Sequence, residues 1–156
     1  MAVAIASSLT GSGTSVTSYT ISSTTLGVAS NNLVLVYIGS RGTVQPSGVT
    51  GFGATFTKIF DRQDTQNQCN LSCWYAQSAS PTSTAITISF GTTVVASTAT
   101  AIRITGHNTG SSGASAIGNF ASADTGASDT DNPSVTVTGV AATSLVIGGV
   151  THRQRT

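Results

Sequence analysis

Ala85-Ile-Thr-Ile-Ser-Phe90 is the stretch that decides the fold class of this chain. Apolar and hydroxyl residues alternate strictly along it, so Ile86, Ile88 and Phe90 fall on one face of an extended segment. Strict alternation is typical of a β-strand with one buried face. No stretch of ten or more residues carries the 3.6-residue apolar periodicity of a helix, and we therefore predict an all-β fold.

Similar runs recur on both sides of this stretch, separated by Gly, Ser, Asn, Asp and Pro. The run Leu33-Val-Leu-Val-Tyr-Ile38 is apolar on both faces, which predicts a central strand. The predicted strands are residues 2–8, 15–21, 33–39, 54–60, 70–77, 84–90, 99–105, 134–140 and 144–151. Their regular spacing favours an antiparallel β-sandwich, either jelly-roll-like or immunoglobulin-like.

The length of 156 residues corresponds to one domain. We divide it into residues 1–14, an N-terminal arm or edge strand, and residues 15–156, a single β-sandwich domain. Residues 106–132 are rich in Gly, Ser, Ala and Asn, which predicts a long surface loop.

Charged residues are scarce, at 7% against about 25% in an ordinary soluble domain. Ser and Thr together make up roughly a third of the chain, so hydroxyl groups replace charges on the predicted surface. Such a surface suits close contact with identical neighbours, because few charges lose their hydration there. The net charge of +1 and the scattered Lys and Arg residues argue against nucleic-acid binding.

The sequence also predicts that the chain has no membrane partner. No run reaches the roughly 18 apolar residues that a membrane helix needs. The first residues, Met1-Ala-Val-Ala-Ile-Ala6, have no basic flank and are too short for a secretion signal. We expect synthesis in a cytoplasm without a cleaved leader.

The residues that catalysis requires are sparse, and we predict a protein that is not an enzyme. The chain has two histidines, His107 and His152, and no G-x-S-x-G nucleophile motif. Asp124, Asp129 and Asp131 form the densest group of carboxylates. They are a candidate calcium loop, with an ordinary turn-rich loop as the alternative. We predict no cofactor and no metal apart from this candidate.

Cys69 and Cys73 are the only cysteines. Residues four apart on a strand are separated by about 13 Å. A disulfide requires Cα atoms within about 7 Å, so a strand here predicts two free thiols. The alternatives are a disulfide across a turn or a metal site, although no further ligands complete the latter.

Neighbouring aromatic residues Trp74 and Tyr75 should point to opposite sides of a strand. One should face the core and the other the solvent or an interface. Trp74 is either a core residue or an exposed anchor for a sugar or a partner. The candidate interface residues are Trp74, Tyr75 and, from the apolar N-terminal segment, Val3 and Ile5.

The order of the apolar stretches resembles a β-sandwich module of tailed-phage virion proteins, which also occurs in some bacterial surface proteins. The matching stretches are Asn32-Leu-Val-Leu-Val-Tyr-Ile-Gly39, Val49-Thr-Gly-Phe-Gly-Ala-Thr-Phe-Thr-Lys-Ile59, Leu71-Ser-Cys-Trp-Tyr-Ala76, Ala85-Ile-Thr-Ile-Ser-Phe90, Ile102-Arg-Ile-Thr-Gly106 and Leu145-Val-Ile-Gly-Gly-Val150. The resemblance implies a sandwich that serves assembly or attachment, and it supplies no site residues.

Modules of this type usually continue beyond the last of these stretches, whereas this chain ends at Thr156. The fold is then either complete in a shorter form or left with an open sheet edge. A neighbouring copy could cover such an edge by strand addition. The apolar residues 1–12, followed by flexible Gly11-Ser-Gly13, are the predicted donor.

The most specific functional expectation is a virion structural protein, namely a capsid decoration (cement) protein assembled in the host cytoplasm. It would form a homo-oligomer, for example a trimer, on the major capsid protein or other virion proteins. A tail-fibre component is a close variant. The alternatives are a carbohydrate-binding or adhesion module at the cell surface and a subunit of an extracellular filament.

Overall fold

The computed structural model describes residues 2–22, 26, 31–78, 85–109, 113–124 and 134–151. In this part of the chain there is no α-helix, and the single 3-10 turn is Gly113–Ala116. The strands are β1 (Ala4–Ile21), β2 (Asn32–Arg41), β3 (Pro46–Gly51), β4 (Thr57–Gln63), β5 (Cys69–Ser78) and β6 (Ile86–Thr105). They form one six-stranded antiparallel sheet in the order β1-β6-β2-β5-β4, and β3 also pairs with β6. The predicted all-β antiparallel fold is confirmed.

The long strands β1 and β6 bend together and fold the sheet over itself. In β1 the bend lies at Ser15, whose φ is 53°, and at a register shift between Val16 and Ser18. The two halves of β1 meet so closely that a Cβ atom on Gly13 would lie 2.8 Å from Cδ1 of Tyr19. A sharp bend at an irregular pair is the usual effect of a β-bulge. The result is a sandwich-like arrangement made from one continuous sheet.

The main hydrophobic core lies inside this fold. The side chains of Ile86, Ile88 and Phe90 all enter it, as their alternation predicts. They pack against residues of every strand except β4. The other principal members are Tyr19, Ile21, Leu26, Val34, Val36, Ile38, Val49, Phe52, Phe56, Trp74, Ala76, Val94, Ala99 and Ala101.

A second, smaller cluster lies on the opposite face of the sheet. Leu33 and Leu35 of β2 form it with Ile102 and Ile104 of β6. Strand β2 lies between β6 and β5, and its alternate side chains enter the main core and this second cluster, so the predicted central strand is confirmed. Ile147, near the end of the chain, packs against this second face.

Several predicted strand boundaries were wrong. Predicted strands 2–8 and 15–21 are halves of β1, and 84–90 and 99–105 are halves of β6. Glycines had suggested breaks, but Gly11 and Gly13 lie inside β1, where the bend brings them against the side chains of Ile21 and Tyr19. Strand β3 was not predicted because its sequence, PSGVTG, contains a proline and two glycines.

The predicted strands 134–140 and 144–151 are also wrong, because residues 134–151 contain no regular secondary structure. Their alternating sequence has strand propensity, but no described strand pairs with them. The predicted loop 106–132 is partly described, at 106–109 and 113–124, and includes the 3-10 turn.

The N-terminal residues are part of the sheet. Residues 4–12, which the sequence suggested as a strand donated to another copy, pair with residues 98–105 of β6 in the same chain. Strand β1 runs through the predicted boundary at residue 14 and lies at the sheet edge.

Candidate interaction surface

The outer edge of β1 is the longest open feature of the described chain. Among the described strands, β1 pairs only with β6. The 18 residues Ala4–Ile21 contain no charged residue and no proline, and most are exposed. An edge strand presents unpaired backbone N–H and C=O groups, and proteins commonly protect it with charge or proline. The edge of β1 lacks both devices and can accept another strand.

The opposite edge of the sheet is protected. Strand β4 carries Lys58, Asp61 and Arg62 within seven residues. Lys58 Nζ lies 2.5 Å from Asp61 Oδ2, and a register shift between Lys58 and Phe60 interrupts the pairing with β5. The charged side chains discourage the addition of a further strand, whereas register shifts occur in the pairing of both β4 and β1. The two sheet edges therefore differ in their capacity for association.

Residues 134–151, called the C-terminal segment below, display an unusual number of exposed apolar side chains. Val150 is 74% exposed and Val146 is 61% exposed. The other large apolar side chains exposed in this segment are Val135, Val140 and Leu145. Isolated apolar residues on a surface are ordinary, but a contiguous group marks an interaction site.

A few contacts hold this segment on the second face of the sheet. The hydroxyl of Tyr37 donates a hydrogen bond of 3.0 Å to the carbonyl of Ile147. Gly149 packs against the same ring, so that a Cβ atom added to Gly149 would be 2.7 Å from Cδ1 of Tyr37. Asn119 Nδ2 donates to the carbonyl of Thr138 at 2.7 Å. Tyr37 is therefore the principal anchor of the C-terminal segment.

Between these anchors the packing is loose. A cavity of about 1130 Å³ lies between the segment and the sheet, lined by Leu33, Leu35, Ile117 and Ile147 among others. The cavity is partly open to solvent, as its exposed lining residues Val146 and Val150 show. His107 also lines the cavity, and burial lowers the pKa of its imidazole while the Ile104 carbonyl opposes that shift.

The two adjacent aromatic residues point to opposite sides of β5, as predicted. Trp74 is buried in the main core, and Lys58 Nζ lies 5.2 Å from the centre of its ring. Tyr75 is half-buried against the second cluster. Because Trp74 is only 7% exposed, its proposed role at an interface does not fit the structure.

The N-terminal interface candidates have different environments. Val3 is half-buried against the second cluster. Ile5, at the start of β1, is 51% exposed and belongs to the open edge. The structure therefore places Ile5, and not Trp74, where a second molecule could reach it.

The candidate calcium loop is only partly described. Asp124 Oδ2 lies 2.6 Å from Nη2 of Arg62, so its carboxylate already has a cationic partner. Asp129 and Asp131 lie outside the described residues. Within the described ranges, no three His, Cys, Asp or Glu side chains are grouped as metal ligands. The described ranges also contain no helix long and apolar enough to cross a membrane.

Both cysteines are free thiols on β5, as the strand spacing predicts. Cys73 is buried, and burial raises the pKa of its thiol to about 12. Its cross-strand neighbour is Tyr37, whose pKa is raised by burial and by the nearby thiol. Both groups are therefore neutral at ordinary pH, and Tyr37 keeps the proton that it donates to Ile147.

The sequence interpretation missed two features of this surface. The continuous edge of β1 was hidden by Gly11 and Gly13, although the absence of charge and proline from residues 4–21 could have revealed it. The anchoring role of Tyr37 depends on a contact with Ile147, 110 residues away, for which the sequence carries no local pattern.

A scan against protein-family models and searches of curated proteins and of solved structures give no match for this chain. The resemblance to phage virion modules thus rests on the quoted sequence stretches alone.

Proposed function

We propose that this chain is a non-catalytic structural protein of a virion, a capsid decoration protein that stabilises the shell. It acts through contacts with copies of itself and with the major capsid protein. The open, uncharged edge of β1 is the observation that carries the proposal, because an 18-residue edge strand without charge or proline favours pairing with another chain.

The composition supports the same role. Only 7% of the residues are charged, so contacts between many copies desolvate few ions. The domain, of 15.6 kDa, has an open edge at one end of its sheet and a protected edge at the other. Because the two edges differ, copies associate in a defined direction. Closed symmetric oligomers, including trimers, arise from such defined contacts.

Quantitative mass spectrometry of purified particles that contain this chain tests the proposal. We expect a copy number in a fixed, near-stoichiometric ratio to the major capsid protein. A copy number far below that of the capsid protein would contradict a role throughout the shell. Electron micrographs of the native assembly then distinguish a capsid from the alternative of an extracellular filament, which would use the same edge.

Carbohydrate binding is a second candidate, supported by one surface feature. The ring of Phe120, which is 56% exposed, stacks on Phe60 with 6.0 Å between ring centres. The ion pair of Arg62 and Asp124 lies in the same part of the chain and lines the same cavity. Exposed aromatic rings beside polar groups can bind sugars by stacking.

A glycan array with the wild-type protein and the variant Phe120→Ala tests this second candidate. Carbohydrate binding predicts a signal from the wild type that the variant loses. Thr17→Ala, a change at an exposed residue of β1, at the opposite edge of the sheet from Phe60, is the matched control and should retain the signal. An array with no signal from the wild type would eliminate this candidate.

A further inference from the structure

We propose that residues 145–150 of the C-terminal segment, which follow the turn at Ala141–Ser144, add as a β-strand to the outer edge of β1 in a second copy. This inference rests on the proposed function, since it identifies the donor and acceptor through which the protein would associate. It reverses the sequence-based expectation, because the N-terminal strand is the acceptor and the donor lies at the other end of the chain.

The C-terminal segment has the properties of a strand that lacks its partner. The run Ser134-Val-Thr-Val-Thr138 alternates with period two, and most of Leu145-Val-Ile-Gly-Gly-Val150 is apolar. In the described part of the chain, the one backbone–backbone hydrogen bond made by residues 134–151 joins Ser144 N to Ala141 O at 2.9 Å. Most backbone groups of this segment are thus available to another strand.

The contacts with the second face of the sheet leave the opposite side of the C-terminal segment exposed to solvent. Tyr37 binds Ile147, while the neighbouring Val146 is 61% exposed. Adjacent residues of an extended segment point in opposite directions. The segment can therefore stay on its own sheet through Ile147 while Val146 and Val150 face a second copy. The cavity beneath it leaves room for the small adjustment that regular strand pairing requires.

The acceptor is β1 and not β4 because of charge. Residues 134–151 contain no charged side chain, and neither does Ala4–Ile21. Pairing of these two stretches removes no ion from water. Pairing with β4 would bring apolar side chains against Lys58, Asp61 and Arg62. A second copy is the fitting partner because each copy carries both a donor and an acceptor.

Cross-linking between isotopically distinct copies identifies the two elements directly. A photoreactive benzophenone side chain replaces Val146, and unlabelled protein is mixed with ¹⁵N-labelled protein before irradiation. We expect mixed-isotope products that join the C-terminal segment to peptides from residues 4–21. Products formed only within one copy, or joined to residues 57–63, would overturn the inference.

A pair of proline variants tests the same inference by a different readout. Val146→Pro removes a backbone donor from the proposed strand, and we expect the dissociation constant of the oligomer to rise roughly tenfold or more. Ala142→Pro is the matched control. It lies at the second position of the turn closed by Ser144 N and Ala141 O, where proline is favoured, so association should be unchanged.

The outcomes separate this inference from the proposed function. If the wild type and Val146→Pro associate equally, the C-terminal segment is not the donor, although self-association stands. If the wild type is monomeric at every concentration, both proposals fail. Thermal melting of each variant shows whether the domain remains folded. In the cross-linking experiment, the ¹⁵N-labelled copies keep Val146 and only the unlabelled copies carry the benzophenone side chain.

Discussion

The hydroxyl of Tyr19 donates a hydrogen bond of 3.0 Å to Oγ of Ser97 across the interior of the folded sheet. Ser97 in turn donates to the carbonyl of Gly39 at 2.9 Å. Because a carbonyl only accepts, the single proton of Ser97 is committed to Gly39, and Tyr19 is the donor in the first bond. This chain of hydrogen bonds joins β1, β6 and β2. Burial raises the pKa of Tyr19, which keeps its donor proton in place.

We predict that Ser97→Ala destabilises the domain more than Tyr19→Phe. The phenylalanine variant loses one buried hydrogen bond, which costs about 0.5–1.5 kcal/mol. The alanine variant leaves both the Tyr19 hydroxyl and the Gly39 carbonyl without this partner, at about 1–3 kcal/mol for each unsatisfied group. Urea unfolding measures the two free energies.

Thr20→Val is the control for this pair, since its hydroxyl bonds to that of Thr87 at 3.1 Å in an exposed position. Its effect should stay within about 0.5 kcal/mol. Equal losses from Ser97→Ala and Tyr19→Phe would show that Ser97 does not connect the three strands.

The bend of β1 predicts that Gly13→Ala is destabilising. The added methyl group would lie 2.6 Å from Cγ2 of Val16 and 2.8 Å from Cδ1 of Tyr19. Overpacking of this kind costs about 1–3 kcal/mol. The control is Gly91→Ala on β6, where an added Cβ atom meets nothing within 4 Å. A melting temperature lowered by both substitutions alike would contradict the fold of β1 upon itself.

The two cysteines should differ strongly in reactivity. The pKa of about 12 leaves Cys73 almost entirely as the unreactive thiol at pH 8. Cys69 is only half-buried. Labelling of the folded protein with a thiol reagent should modify Cys69 first and Cys73 only after denaturation. Mass spectrometry of the digested protein assigns the sites, and equal rates at both would refute the buried position of Cys73.

Stability should fall in alkaline solution. The pKa of Cys73 rises from 9.0 to about 12 on folding, and that of Tyr37 also rises, so above pH 9 the unfolded chain releases protons that the folded chain retains. The free energy of unfolding therefore decreases with pH, by up to about 1.4 kcal/mol per pH unit for the buried Cys73 thiol and by less for the partly exposed Tyr37. Denaturant titrations between pH 8 and pH 11 measure this slope. Cys73→Ala should flatten it, and a slope unaffected by that substitution would count against the thiol as its source.

The sequence predicts well those elements whose pattern is local. The alternation of Ile86, Ile88 and Phe90 and the two-sided apolar run of β2 specify buried strands, and the structure contains both. The opposite orientations of Trp74 and Tyr75 follow from the same period. Each of these predictions needs only the geometry of a single strand.

Features that depend on distant contacts could not be predicted. Gly13 has the sequence appearance of a turn, and only its contact with Tyr19 explains why it lies within a strand. Residues 134–151 have the composition of strands, yet pairing requires a neighbour that the described residues do not supply. The pattern alone indicates a capacity for pairing and does not reveal whether a partner exists.

Sedimentation velocity over a wide concentration range tests the central claim, that this protein acts by associating through the open edge of β1. We expect the wild type to sediment as a discrete multiple of 15.6 kDa. The double variant Thr10→Lys and Ser12→Lys places two charges at exposed positions of that edge and should sediment as a monomer with unchanged thermal stability. A wild type that remains at 15.6 kDa throughout, or a double variant that associates as strongly as the wild type, would contradict the claim.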